Sequence, residues 1–453
     1  MTFRPKTKAI PMPEKTRTAP TPASPSPETP VAPAYPRAAT REAAPRYAVR
    51  TIPGRHLNHV PGFQAQGVHA EIKKKRRDVA VIVSDRPSKG AAVFTKNAFA
   101  AAPVLVSRQH VQNGDIRAIV CNAGNANACT GEQGLADARA MADAAGQALG
   151  IEPDQVIVCS TGIIGRPLPL EKVVWGIEAA AQSLGEAKGG EAAEAITTTD
   201  SHPKTVFVEI NVAGRAFHVA GIAKGAGMIH PNMATMLAFL VTDAPLSATL
   251  LQHQLKTAVD ATFNMITIDG DQSTNDTVAL IANGAAGGTR LREGSAELEA
   301  FQAGLVEACK DLAKQIAGDG EGATALLEVV VEGASTLQDA RTVARAVAKS
   351  NLVKSALHGK DPNWGRVVAA VGACEAHVEA GRVSLWFESE TGSVPVLERG
   401  EPLAGNLLSE AAHVLKAKEV RVRLDLGLGP HRAEAWGCDL SEEYVTFNSA
   451  YTT

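Results

Sequence analysis

The chain has 453 residues, 45% of them apolar and only 4% aromatic, with a formal net charge of −3. That length suggests two to three domains of about 150 residues each, with a core large enough to stand without disulfide staples. The balanced charge argues against nucleic acid or an anionic membrane as a partner, and no apolar run approaches the ~20 residues of a membrane-spanning helix.

Residues 1–50 are rich in Pro, Ala, Thr and Arg and almost free of bulky aliphatics. Such a segment cannot bury enough apolar surface to offset its ordering entropy, so a disordered, solvated extension is expected there. Its dense prolines forbid the amphipathic helix of an organelle-targeting signal, and no apolar segment follows the first lysines as in a secretory signal.

Order is expected from near Gly54. "RDVAVIVSD" (77–85) reads as a buried strand, and "DIRAIVCNAGNANACTGEQG" (115–134) as a strand running into an Asn/Gly loop. Residues 131–150 read as a helix with Leu135, Met141 and Leu149 near one face. "QVIVCSTGIIG" (155–165) is a strand ending in a Gly-flanked turn, and 170–184 a helix. Residues 204–225 form a pair of strands. Helical patterns follow near 247–262, 295–317 and 338–357, with strands at 324–334 and 419–427. Interleaved strands and helices predict a layered α/β (α+β) fold, with sheets packed against helices. The spacing is not the regular βαβ of a doubly wound sheet, and no fixed-period repeat occurs. The cysteines (Cys121, Cys129, Cys159, Cys309, Cys374, Cys438) are scattered with no CxxC pair, and no HExxH occurs. Neither a disulfide framework nor a zinc site is expected, and a reducing cytoplasm fits this usage.

"GIAKGAGMIHPNMATMLAFLVTDA" (221–244) passes from a Gly-rich turn to a strongly apolar run. Thr235 sits at the junction, with small Ala234 before it and Lys224 the only lysine or arginine in the stretch. The plain reading of Thr235 is a satisfied hydroxyl entering a buried strand. The chemical one is an N-terminal threonine nucleophile whose own α-amine takes the hydroxyl proton. A free α-amine titrates near ~7.7–8.0, which suits that work at neutral pH. The amine exists only if the chain is cut before Thr235. Attack of its hydroxyl on the Ala234 carbonyl would give an ester by N→O acyl shift, and water would release it. No GxSxG elbow supplies an alternative. An oxyanion hole is also needed, and "CSTGIIG" (159–165) is a candidate: Thr161 offers a hydroxyl and Gly162 an unshielded N–H. An ordinary strand-capping turn is the competing reading.

These residues resemble the self-cleavage segment of the ornithine acetyltransferase family, the glutamate N-acetyltransferases of the cyclic arginine pathway. Further segments match in the same order: "VFTKNAFAAAPV" (93–104), "CNAGNANACTG" (121–131), "STGIIG" (160–165), "TTD" (198–200), "DGD" with "STNDT" (269–277), "DGEGAT" (319–324), "DPNWGR" (361–366) and "CDLSEEYVTFNSAYTT" (438–453). The resemblance covers residue 51 to the end and implies a two-lobed α/β fold. The chain would be cut into an α chain ending at Ala234 and a β chain, 235–453, that stay associated. It implies acetyl transfer from N2-acetylornithine to glutamate in a ping-pong cycle through acetyl-Thr235, and some members also use acetyl-CoA. Thr161 and Gly162 become the oxyanion pair. Thr198 (or its neighbour Thr199), Lys224, Glu321, Asn448 and Thr453 match substrate-contacting positions. Lys224 can pair with a carboxylate and Glu321 with an ammonium. The C-terminus, ordinarily a frayed tail, is expected to fold into the site. No metal or bound cofactor is expected, and the family suggests α2β2 or larger assemblies. A self-processing aminopeptidase or amidase that passes the acyl group to water is the nearest rival. An anion-binding kinase using "GIAKGAGM" is a distant one, since no Walker pattern occurs.

Overall fold

The computed structural model describes residues 47–186, 190–230 and 236–450. The expected extension up to residue 46, together with Ala234, Thr235 and Thr453, lies outside the described residues. In chain order the first half contains β1 (Tyr47–Thr51), β2 (Phe63–Val68), β3 (Val79–Ser84), β4 (Lys89–Phe94), α1 (Ala102–His110), β5 (Ala118–Asn125), α2 (Gly131–Leu149), β6 (Val156–Ile163), α3 (Leu170–Gln182), α4 (Glu191–Ala195), β7 (Lys204–Val212) and β8 (Arg215–Lys224). There follow β9 (Leu237–Thr242), α5 (Ala248–Ala261), β10 (Thr277–Ala282), α6 (Ala296–Gly318), β11 (Leu326–Ala334), α7 (Leu337–Lys349), α8 (Asn351–His358), α9 (Trp364–Gly372), β12 (Ser384–Ser389), β13 (Gly392–Glu398), β14 (Glu401–Pro402), α10 (Leu407–Val414), β15 (Glu419–Asp425), β16 (His431–Cys438) and α11 (Glu442–Ala450).

Three sheets result, with strand orders β1-β7-β8-β9-β10-β4, β2-β3-β5-β6 and β14-β13-β12-β15-β11-β16. Side-chain alternation decides how the first two stack. Along β9, Leu237, Phe239 and Val241 join a core with Ile82, Ile119 and Ile157 of the four-stranded sheet. Ala238 and Leu240 point the other way, into a core with Leu255 of α5 and Leu305 and Leu312 of α6. In β3, Ala80 and Ile82 face the first sheet, whereas Val79, Val81 and Val83 face Met141 of α2 and Ile177 of α3. Four layers follow: helices, sheet, sheet, helices. Strands buried on both faces must be apolar throughout, which explains the unbroken runs read at 79–83 and 237–241. The third sheet, with α7, α9 and α10, shares the core of α5 and α6 and forms the second lobe.

Order begins earlier than Gly54. Tyr47–Thr51 pairs antiparallel with β7 as an edge strand, and Tyr47 and Val49 pack on the core beneath. The helix expected over 338–357 is two helices. Ser350 takes an extended ψ of 112° and its hydroxyl accepts the Val353 N–H at 3.3 Å, so it caps a new helix rather than continuing the old one. The strand expected from 324 starts at Leu326, because Asp439 Oδ1 accepts the N–H groups of Thr324 and Ala325 at 2.7 and 3.0 Å. None of the described helices is long and apolar enough to cross a membrane.

One feature of the first sheet governs the chemistry. β8 pairs antiparallel with β9, Lys224 opposite Leu237, and β9 pairs parallel with β10, Thr277 opposite Leu237. Residue 235 is two positions before that register point, so strands from both sides of it are hydrogen-bonded in one sheet.

Candidate active site

The C-terminal end of β6 supplies the first wall. β6 runs parallel to β5 until the register breaks at Gly124 and Asn125. Gly162 lies at φ 131°, and a Cβ there would come within 2.4 Å of the Gly124 carbonyl carbon. Only glycine permits that approach. Asn275 Nδ2 donates to the carbonyls of Ala126 and Ser160 at 2.6 and 2.8 Å. It thereby ties both strand ends to the loop before β10 and fixes the backbone on which Thr161 sits.

The end of β8 supplies the second. Lys224 is buried, and Nζ donates to Thr161 Oγ1 at 3.4 Å. Among the described residues its remaining N–H donors have no hydrogen-bond partner. Burial pulls its pKa below the usual lysine range, and Asp200 opposes that by favouring the charge. Asp200 Oδ1 accepts from Gly225 N at 2.6 Å and from the fully buried Lys204 Nζ at 2.7 Å. Lys204 in turn reaches Asp319 Oδ2 at 2.6 Å. Burial works against the charge of Asp200, yet Lys224 and Lys204 hold its carboxyl far below the ordinary range. Two lysines and two aspartates thus lie interleaved in the interior, and Lys224 alone of the two lysines presents its ammonium to the cavity. Asp200 Oδ2 also accepts the Thr198 N–H at 2.9 Å, a local turn that presents Thr198 and Thr199.

The turn after β8 supplies the third. Asp269 accepts the N–H groups of Met228 and of Ile229, the latter at 2.8 Å, and so holds Met228 at a positive φ of 57°. Ala226 accepts the Glu321 N–H at 2.9 Å. A Cβ on Gly227 would stand 2.5 Å from the Glu321 carboxylate, so the missing side chain is what leaves room for that group. Asn448 Nδ2, on exposed α11, donates to Glu321 Oε2 at 2.9 Å. Tyr444 of the same helix is half-buried, and burial followed by Asp269 and Asp271 raises its pKa, keeping it a neutral phenol.

These walls enclose a cavity of about 320 Å³, at the small end of the range for small-molecule sites. Thr161, Gly162, Thr198, Lys224, Glu321 and Asn448, all singled out from sequence, line it together, and Thr199 does so too. Thr235, Ala234 and Thr453 lie outside the described residues, and Met236 is the first described residue after the expected cut. His230 does not line this cavity. It faces a second one beside Arg341, Arg345 and Lys349, where burial and then the charges of Arg345 and Lys349 push its pKa down to about 4. No group of three or more potential metal ligands is clustered among the described residues. The supporting residues Asp200, Asp269 and Asn275 lie inside the segments "TTD", "DGD" and "STNDT", but partners such as Gly225, Met228 and Ala126 are far away along the chain and carry no local signal.

The sequence model of the ArgJ family matches residues 64–453. The chain belongs to the ArgJ family. A relative from Symbiobacterium thermophilum, named arginine biosynthesis bifunctional protein ArgJ, is 50% identical over 395 residues, 86% of this chain and 97% of its own length. A protein of the same name from Caldanaerobacter subterraneus is 48% identical over 392 residues, 86% of this chain and 97% of its own length. The solved ArgJ chain of Bacillus halodurans is 41% identical, is covered in full and spans 48% of this chain at a TM-score of 0.46. Membership spans both lobes and the described cavity, so the ArgJ family's sequence pattern and the walls of the site coincide in this chain.

Proposed function

We propose that this ArgJ-family chain transfers the acetyl group of N2-acetylornithine to glutamate, giving ornithine and N-acetylglutamate, after cutting itself between Ala234 and Thr235. One observation carries the reading. A single small cavity is lined by a buried cation, Lys224, and a carboxylate, Glu321. That is the complement of an amino acid with an α-carboxylate and a distal ammonium.

In the proposed cycle the Thr235 hydroxyl attacks the acetyl carbonyl while the Thr235 α-amine takes its proton. The oxyanion is held by the Thr161 hydroxyl and the Gly162 N–H. Collapse expels the α-amino group of ornithine, which receives that proton, and leaves acetyl-Thr235. Lys224 anchors the substrate carboxylate, whose charge would in turn favour the ammonium form that burial disfavours. Glu321 meets the distal ammonium, with Thr198 (or Thr199) and the neutral side chains of Asn448 and Thr453 completing the binding surface. Neutral groups suit a distal end that changes from ammonium to carboxylate between the half-reactions. Glutamate then attacks the acyl group through its own α-amine and regenerates the free hydroxyl. Acetyl-CoA enters the proposal as a second donor to the same hydroxyl, and no bound cofactor is invoked. We assign the enzyme to the cytoplasm, as an α2β2 or larger assembly of the two chains.

The test follows ornithine release and N-acetylglutamate formation by wild type and by Thr235→Ala, with each acetyl donor supplied in turn. Wild type should form both products and yield two polypeptides on a denaturing gel. Thr235→Ala should stay whole and inactive. Release of acetate without transfer to glutamate would favour the amidase reading instead.

A further inference from the structure

The proposed cycle leaves one feature of the sequence unused. Residues 73–77 read "KKKRR", a run of cations in a chain whose overall charge is only −3. Like charges packed together repel one another, and a solvated face is the ordinary use of such a run. This one has a fixed shape and a particular place. The shape comes from Asp78. Its fully buried carboxylate accepts the N–H groups of Ala70, Ile72 and Lys73 at 2.6, 2.8 and 2.8 Å. His69 Nε2 lies 2.8 Å from the Lys73 carbonyl oxygen, and Glu71 takes a positive φ of 62°. The chain is thus bent and held just before β3.

The place comes from two of the cations. Lys73 Nζ donates to the Thr197 carbonyl at 2.9 Å, and Arg76 Nη1 to the Asp200 carbonyl at 3.1 Å. Those carbonyls flank Thr198 and Thr199, which line the cavity. A Cβ on Gly124 would stand 3.1 Å from Ile72 Cγ2 and from Lys73 Cγ, and Gly124 is the register partner of Gly162. The basic turn is therefore fastened against two walls of the cavity. The acids around it are already engaged. Glu71 faces Lys172 at 4.0 Å, Glu194 pairs with Arg77, and Asp78 holds the backbone. Lys74, Lys75 and Arg76 are exposed, and among the described residues none of them has a carboxylate partner. Unpaired cations on a rigid bend are the complement of a ligand carrying several phosphate charges. Neither N2-acetylornithine nor glutamate carries a phosphate. Acetyl-CoA, the second donor in the proposed cycle, carries a diphosphate and a further phosphate at the end remote from its acetyl group.

We propose that the basic turn at 73–77 docks the phosphates of acetyl-CoA through Lys74, Lys75 and Arg76, while the acetyl end of that donor enters the cavity. This subsite rests on acetyl-CoA being the second donor named above. It serves that donor alone. N2-acetylornithine is small enough to be held entirely by the groups that line the cavity and has no charge to offer the turn.

The test compares wild type with the double variant Lys74→Gln/Lys75→Gln, which keeps Arg76 and its bond to Asp200. Both lysines are exposed and unpartnered, so fold and cavity should be unaffected. Glutamate is the acceptor, and acetyl-CoA, S-acetylpantetheine and N2-acetylornithine are supplied in turn as donors. S-acetylpantetheine keeps the thioester and the arm but has no phosphate. The KM for acetyl-CoA should rise about 3- to 30-fold in the variant, with kcat little changed and both constants for the other two donors unaltered. Added salt should raise the wild-type KM for acetyl-CoA and do so less in the variant, because it screens exposed charges. An unchanged KM for acetyl-CoA, or an equal rise for S-acetylpantetheine, would overturn the assignment. Calorimetric titration with CoA itself decides the matter if acetyl-CoA is not turned over. Weaker binding by the variant than by wild type supports the subsite, and equal binding, or none by either, overturns it. If wild type transferred no acetyl group from N2-acetylornithine to glutamate, the proposed function would fall instead, so the two failures are distinguishable.

Discussion

At the scale of single residues, the site depends on groups that burial has made either scarce or costly. Lys224 is a buried lysine whose one described hydrogen-bond partner is Thr161, so the two side chains proposed to hold carboxylate and oxyanion are neighbours. Replacing Thr161 by Val keeps the shape and removes the hydroxyl. Loss of one oxyanion donor should lower kcat by about 10²–10³ with KM for N-acetylornithine little changed. A steady-state assay checks this, and an unchanged kcat would remove Thr161 from the oxyanion site. Glu321→Gln removes a charge but keeps the hydrogen-bonding shape beside Asn448. A hydrogen bond to a charged group contributes roughly 1.5–3 kcal/mol, so kcat/KM for N-acetylornithine should fall about 10- to 100-fold. The accompanying loss should be smaller for glutamate, which carries no distal ammonium. Equal losses for both substrates would argue that Glu321 only holds the turn at Gly227.

At the scale of elements, the strand β9 joins site and core. Its unbroken apolar run was legible in the sequence because a strand between two sheets has no polar face to show. Thr161, Gly162 and Lys224 stand out in the sequence itself, whereas Thr198, Glu321 and Asn448 are legible only through the resemblance to the ornithine acetyltransferase family; all six line one cavity. The sheet order was not legible, because pairing partners such as β4 and β10 are far apart in sequence. Strands β2 and β4 escaped notice because Gln64, Gln66 and Gly90 interrupt their apolar pattern. The break at Ser350 was hidden because serine is tolerated inside helices as well as at their caps. The ion pairs of Lys204 with Asp200 and Asp319 were hidden too, for a lysine in a strand is ordinarily solvated.

The β8–β9 pair also carries a pH-sensitive link. His218 Nδ1 lies 2.7 Å from Asp243 Oδ2, and His218 N donates to Asp243 Oδ1 at 2.8 Å. The hydrogen bond with Asp243 raises the histidine's pKa above its ordinary 6.5, against partial burial. A raised folded-state pKa means the contribution to stability is complete below about pH 6.5 and fades as pH climbs through the raised value. His218→Gln should therefore lower the melting temperature more at pH 5.5 than at pH 9. An equal decrement at both would show that the imidazolium contributes nothing there.

At the scale of the whole molecule, a cut before residue 235 would leave β1, β4, β7 and β8 on one chain and β9 and β10 on the other. All six belong to one sheet, and both of its faces are cores. Separating the chains would expose those cores, so the fragments should run together on a native sizing column and part only in denaturant. The helix α11 brings Asn448 back to a turn 127 residues earlier in the chain, so it lines a site that the middle of the sequence opens. In the proposed mechanism the hydroxyl of residue 235, freed by cleavage, carries the acetyl group. That mechanism is tested most directly by intact-mass measurement of the acid-quenched protein after brief exposure to N-acetylornithine. A fragment of residues 235–453 should gain one acetyl group, located on Thr235, and lose it when glutamate is added. Turnover by an uncut chain, or turnover with no acetyl on Thr235 at any time, would contradict it.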